Sequence, residues 1–178
     1  MDLNNMENFL TFEQLKSLNN NYERYALLNE SCSNYTTSVF LSHKHDEPIS
    51  LIKQIKGFFV SQGAELYIDW MDKNMPEVTN SQTAERLKQK IKISKKFVIL
   101  ATPESINSIW MPWEIGLADQ MKGLNDIAIL PVINEGTKWE KREYYQLYNR
   151  IERINNKWLV MKPENSYIGE ELSSWLKQ

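Results

Sequence analysis

Two stretches of this sequence carry residue types that could do chemistry. The first is Ser42-His-Lys-His-Asp-Glu47. Two histidines at i and i+2 raise a metal site. They are the only two in the chain, and the one cysteine is Cys32, so a ligand set is hard to complete and no metal is expected. Read as a polar loop entering a helix, the stretch offers backbone N–H groups that can hold a phosphate without a glycine-rich loop. The second stretch is Ala101-Thr-Pro-Glu-Ser-Ile-Asn-Ser-Ile-Trp110, followed by Met-Pro-Trp-Glu114. In a helix Trp110 and Glu114 share a face. An indole beside a carboxylate near a helix start suits a polar ligand held against a ring. A core tryptophan with a solvated or capping glutamate is the plain alternative. Neither G-x-G-x-x-G nor G-x-x-x-x-G-K-[ST] occurs, which argues against dinucleotide-binding and P-loop fingerprints.

These stretches need elements to position them. From residue 37 onward, strand and helix patterns alternate. Ser38–Leu41, Glu65–Asp69, Lys96–Ala101, Asp126–Ile133 and Lys157–Met161 read as five strands. Between them lie a helix after Asp46-Glu-Pro48, a Lys-rich amphipathic helix over Ser81–Ile93, and a helix holding Glu114 to Met121. A Tyr-rich helical stretch over about 140–152 and a closing helix over Gly169–Leu176 complete the reading. This predicts an α/β fold: a five-stranded, mainly parallel sheet covered by helices on both faces. Ligands of such folds bind beyond the carboxyl ends of the strands, where strand order reverses. Both candidate stretches follow strands at that edge. Before residue 37, Phe12, Leu15, Leu18, Tyr22, Tyr25 and Leu28 form a helical stripe, with Thr11-Phe-Glu-Gln14 as a capping box. The chain therefore divides into a helical extension over 1–36 and a domain over 37–178.

Composition narrows the function classes. The 178 residues are 42% hydrophobic and 25% charged, enough for a core. Twenty-one Lys and Arg against 23 Asp and Glu leave a net charge of −2, which gives no footprint for nucleic acid or an anionic membrane. Lys88, Lys90, Lys92, Lys95 and Lys96 then read as a solvated helix face. A single cysteine, no long apolar run and a polar start point to a cytoplasmic protein. The aromatic count is high: six Trp, eight Tyr and six Phe.

Ser38-Val-Phe-Leu-Ser-His-Lys-His-Asp-Glu47 resembles the first box of Toll/interleukin-1 receptor (TIR) domains. Ser105-Ile-Asn-Ser-Ile-Trp-Met-Pro-Trp-Glu-Ile-Gly116 is similar to that family's Ser-x-Trp-x-x-x-Glu segment. Leu66-Tyr-Ile-Asp-Trp-Met-Asp-Lys-Asn-Met-Pro76 is similar to its second strand and BB loop, but lacks the Arg-Asp-x-x-Pro-Gly pattern of animal receptors. The chain looks closer to bacterial TIR proteins, some of which serve antiphage defence in Thoeris systems. The resemblance implies a flavodoxin-like TIR fold and an enzyme that cleaves the nicotinamide–ribose bond of NAD+. It makes Glu114 the catalytic residue.

The chemistry fits one carboxylate. Most glycosidases need two, one of them to protonate the leaving oxygen. Nicotinamide instead leaves as a neutral molecule from a cationic nitrogen, so only the charge growing on the ribose needs stabilising. A position near a helix N-terminus is expected to favour the charged form of Glu114. Trp110 and Trp70 are candidate pocket walls, and Trp113 reads as packing. Ser42 and His43 are candidate contacts to ribose or phosphates, and Asp69 and Met71 open the covering loop. NAD+ is then substrate and no cofactor is expected. The product is ADP-ribose or a cyclic form. The family pattern implies self-association on activation, through contacts around the BB loop, and a downstream effector sensing the product. Two alternatives remain open: a non-catalytic TIR interaction module using the loop around Pro76, and a nucleoside deoxyribosyltransferase-like enzyme.

Overall fold

A computed structural model describes residues 9–17, 37–74, 80–139, 142–163 and 165–178. Its centre is three apolar runs: β2 (Thr37–Ser42), β4 (Lys96–Ala101) and β5 (Ile127–Ile133). Every residue of β4 and β5 is buried, as a parallel strand covered on both faces requires. With β3 (Ala64–Tyr67) and β6 (Asn149–Ile154) they form five parallel strands in the order β3-β2-β4-β5-β6. The order reverses between β2 and β4, which places the switch point beside Ser42.

Period-two alternation splits the core into two layers. Val39, Leu41, Val98, Leu100, Ala128, Leu130 and Val132 pack with α2 (Ile49–Ser61). Phe40, Phe97, Ile99, Ala101, Ile127 and Ile129 pack with α3 (Ser81–Ile93) and α4 (Trp110–Lys122). The start of α3 is set by Asn80, whose side chain accepts from the Gln82 and Thr83 amides while Thr83 Oγ1 accepts from the Asn80 amide. Gly123, at φ 80°, closes α4 in a conformation that costs a residue with Cβ.

The structure departs from the sequence expectation in the second half. The described part of the expected helix over 140–152, residues 142–152, is not an α-helix. Residues Glu143–Leu147 make a short 3-10 turn and β6 follows. β6 then turns back antiparallel into β7 (Lys157–Lys162) through Asn155-Asn156, both at positive φ. Two positive-φ residues are the requirement of the tight turn that matches strand twist. Gly169–Leu176 is likewise not one helix. It holds the end of β8 (Asn165–Glu171), antiparallel to β7, and a short α5 (Leu172–Trp175).

Of the expected helical extension, residues 9–17 are described, and they are only partly helical. Leu10–Thr11 form β1, parallel to β5 at Val132 and Ile133, beyond the residues of β5 that pair with β6. The expected capping box is present. The Gln14 amide donates to Thr11 Oγ1 at 3.1 Å, and the Thr11 amide to Gln14 Oε1 at 3.3 Å. Helix α1 is described over residues 12–17. The stripe at Leu18, Tyr22, Tyr25 and Leu28 lies outside the described residues, as does Pro76 of the BB loop. No described helix is long and apolar enough to cross a membrane.

Candidate active site

Ser42 ends β2 with its side chain on the α4 side of the sheet, two residues after Phe40. It is 1% exposed, and its Oγ donates to Glu114 Oε2 at 2.5 Å. Glu114 is 5% exposed. Its burial pushes the carboxyl up to about 7; the Ser42 hydrogen bond opposes the shift and the Asp69 charge adds to it. The expected preference for the charged form is therefore reversed. Trp110 is the first residue of α4, so Glu114 lies a full turn inside, beyond the unpaired N–H groups that create the positive end. Desolvation is then unopposed by the dipole.

His43 lies behind Ser42, and its side chain is 2% exposed. Nδ1 is 3.3 Å from the Leu41 carbonyl. A carbonyl can only accept, so Nδ1 carries the hydrogen and Nε2 the lone pair of the neutral ring. Burial lowers the tendency of the ring to protonate, with the Asp69 charge opposing. Nε2 is buried without a hydrogen-bond partner, 3.7 Å from Asp69 Oδ1. That oxygen also accepts from the Trp70 amide at 2.8 Å, which fixes the carboxylate at the start of the loop after β3.

Ser42, His43, Asp69 and Glu114 thus meet at one end of the sheet. The aromatic candidates are spread more widely. Trp110 is 38% exposed and stands edge-on to Trp113, with ring centres 5.4 Å apart. Trp113 packs on the α4-side core, in line with its expected role. Trp70 packs against the core on the opposite, α2 side of the sheet. Met71 is 43% exposed.

Two supporting groups escaped the sequence reading. Thr102 Oγ1, at the end of β4, donates to the buried carboxylate of Glu47, and the Ser105 amide donates to Thr102 Oγ1 at 3.0 Å. This chain ties the loop after β2 to the loop after β4. Burial pushes the Glu47 carboxyl up. The second group anchors the loop after β3. Asp72 accepts from Arg86 Nε and Nη2, both at 2.9 Å, and from the Tyr67 hydroxyl at 2.8 Å. The guanidinium holds Asp72 well below the usual carboxylate range. The arginine absent from the loop itself is supplied by α3. Asp72 lies past the 3-10 turn that follows β3 and Arg86 lies in α3, fourteen residues on, so the clamp joins two separate elements.

A parallel sheet whose order reverses at β2, with a buried carboxylate at the switch point, defines a flavodoxin-like α/β fold. The chain belongs to the TIR-domain family, whose pattern it matches over residues 39–160. It is 29% identical over 156 residues to a protein of Bacillus cereus (strain MSX-D12) named "Probable 3' cyclic ADP-D-ribose synthase ThsB'", covering 80% of this chain and 79% of that protein. It is 28% identical over 117 residues to a "Putative cyclic ADP-D-ribose synthase TIR2" of Cytobacillus dafuensis, covering 57% of this chain and 31% of that protein.

Proposed function

We propose that this chain cleaves the nicotinamide–ribose bond of NAD+ and releases nicotinamide with ADP-ribose or a cyclic ADP-ribose as a signal in bacterial antiphage defence of the Thoeris type. The observation that carries the reading is the buried Ser42–Glu114 pair at the switch point. A carboxylate in a dry site acts strongly on the positive charge that grows on the ribose as nicotinamide departs. Ser42 holds one carboxylate oxygen in place. Trp110, on the same helix face, offers a ring at the entrance. The names of the two relatives favour the cyclic product. Self-association on activation and an effector that reads the product belong to the same proposal.

The test is incubation of NAD+ with concentrated protein and with extracts of phage-infected cells producing it, with products separated by chromatography and mass spectrometry. Nicotinamide and an ADP-ribose-type product are expected. NAD+ left intact in every condition overturns the enzymatic reading and leaves an interaction module.

The pH profile carries a second expectation. Ser42→Ala removes the hydrogen bond that opposes the upward shift of Glu114. The acid limb of the nicotinamide-release profile, near 7 in the parent, should move about one pH unit more alkaline. An unmoved limb would show that Ser42 does not act through Glu114.

A further inference from the structure

Glu114 explains how the glycosidic bond opens, but ring closure needs a second group. A substrate hydroxyl that captures the anomeric carbon must lose its proton inside the pocket. Glu114 is poorly placed to serve here, because a carboxylate that takes a proton no longer stabilises the neighbouring positive charge. Glu47 is bonded to Thr102.

His43 has what this step asks for. The Leu41 carbonyl fixes its tautomer, so Nε2 presents a lone pair. Nε2 is buried and has no hydrogen-bond partner, a state that costs free energy in a folded protein. It faces Asp69 Oδ1 at 3.7 Å, so two acceptors look at each other with no donor between them. Two neighbouring hydroxyls of one ribose would supply a donor to each. His43 is one residue from Ser42, and the Asp69 charge is felt at Glu114, so the pair adjoins the reacting centre. Asp69 is the outer member, with 24% of its side chain exposed, and a ribose entering there meets it first. Contacts of this kind are commonly long before substrate binds.

We propose that His43 Nε2 is the base that takes the proton of the capturing ribose hydroxyl, with Asp69 accepting from the hydroxyl beside it, and so directs the reaction to a cyclic product rather than hydrolysis. This rests on the NAD+-cleaving reading above. The bond between ribose carbon and nicotinamide nitrogen breaks, and its electron pair stays on nicotinamide. The hydroxyl oxygen bonds the same carbon, and its proton moves to Nε2 and then past Asp69 to solvent. NAD+ thereby gives nicotinamide, a cyclic ADP-ribose and one proton.

The experiment compares the ratio of cyclic product to ADP-ribose in the parent, His43→Asn and His43→Gln, read independently of total turnover. Asparagine keeps a donor for the Leu41 carbonyl. Glutamine offers an oxygen near Nε2 that accepts a hydrogen bond but not a proton. Both should lower the ratio about 100-fold, the lower end of what a positioned base contributes. An unchanged ratio in both overturns the proposal. Nicotinamide with only ADP-ribose from the parent overturns it while NAD+ cleavage stands. No nicotinamide from the parent removes both. If thermal melts show that neither variant folds, Asp69→Asn takes their place. It removes the charge that raises the basicity of His43, and an unchanged ratio there overturns the proposal equally.

Discussion

Glu114→Gln should lower nicotinamide release by about 100- to 1000-fold and, above neutral pH, make the protein more stable. The two effects share one cause. The Glu114 carboxyl titrates near 7 in the folded chain, against an ordinary value of 4.5. The folded state therefore holds this proton more tightly than the unfolded state does. The stability this contributes is fully present below about 4.5 and is lost as pH rises through about 7. Above that, burying the charged carboxylate costs about 3 kcal/mol. Glutamine carries no proton to lose and can still accept from Ser42. Thermal unfolding at pH 5 and pH 8 checks the stability half: the gain over the parent should be small at pH 5 and large at pH 8. Equal gains at both pH values, or retained turnover, would remove Glu114 from the role assigned to it.

Asp126→Ala should destabilise the fold by about 2 kcal/mol, because it strips a buried ammonium of its partner, although solvent reaches the half-exposed carboxylate and screens the pair, and it should leave chemistry at the far end of the sheet unaffected. Lys96 opens β4 and is 2% exposed. Its Nζ lies 2.5 Å from Asp126 Oδ1 and 4.7 Å from the centre of the Trp175 ring. Without Asp126 the buried ammonium loses its ion pair and keeps the Trp175 indole face beneath it. Adding Lys96→Met to that variant removes the charge and keeps a flexible chain against Trp175, so most of the lost stability should return. Urea unfolding of the parent, the single variant and the double variant forms the comparison. A neutral single variant, or a double variant no better than the single, would show that the pair is not held as described.

Lys96 also shows where linear reading stops. It follows a run of lysines and reads with them as solvated surface, yet the strand that begins at Lys96 draws it under Trp175. By contrast, β2, β4 and β5 are legible as apolar runs, and α3 as an amphipathic stretch with a polar cap. Ser42 and Glu114 are legible because strand ends and helix faces can be counted. The approach of His43 to Asp69 joins two different strands and has no linear signature. Nor does the sign of the Glu114 shift, since burial is a property of the packed site. The region from Tyr144 to Ile151 misled for another reason. Tyr144, Tyr148 and Ile151 are spaced four and three apart, which imitates a helical stripe. Asn155-Asn156, between two runs rich in β-branched and aromatic residues, was the competing hairpin signal.

The two-residue strand β1 separates the extent of the family pattern from the extent of the core. Family likeness begins at Val39, but Leu10 and Leu15, both fully buried, sit in the same core as Val39 and Leu41. The family pattern and the packed core therefore have different borders. A change in that leading segment reaches the middle of the sheet by two backbone registers, Leu10 to Val132 and Thr11 to Ile133.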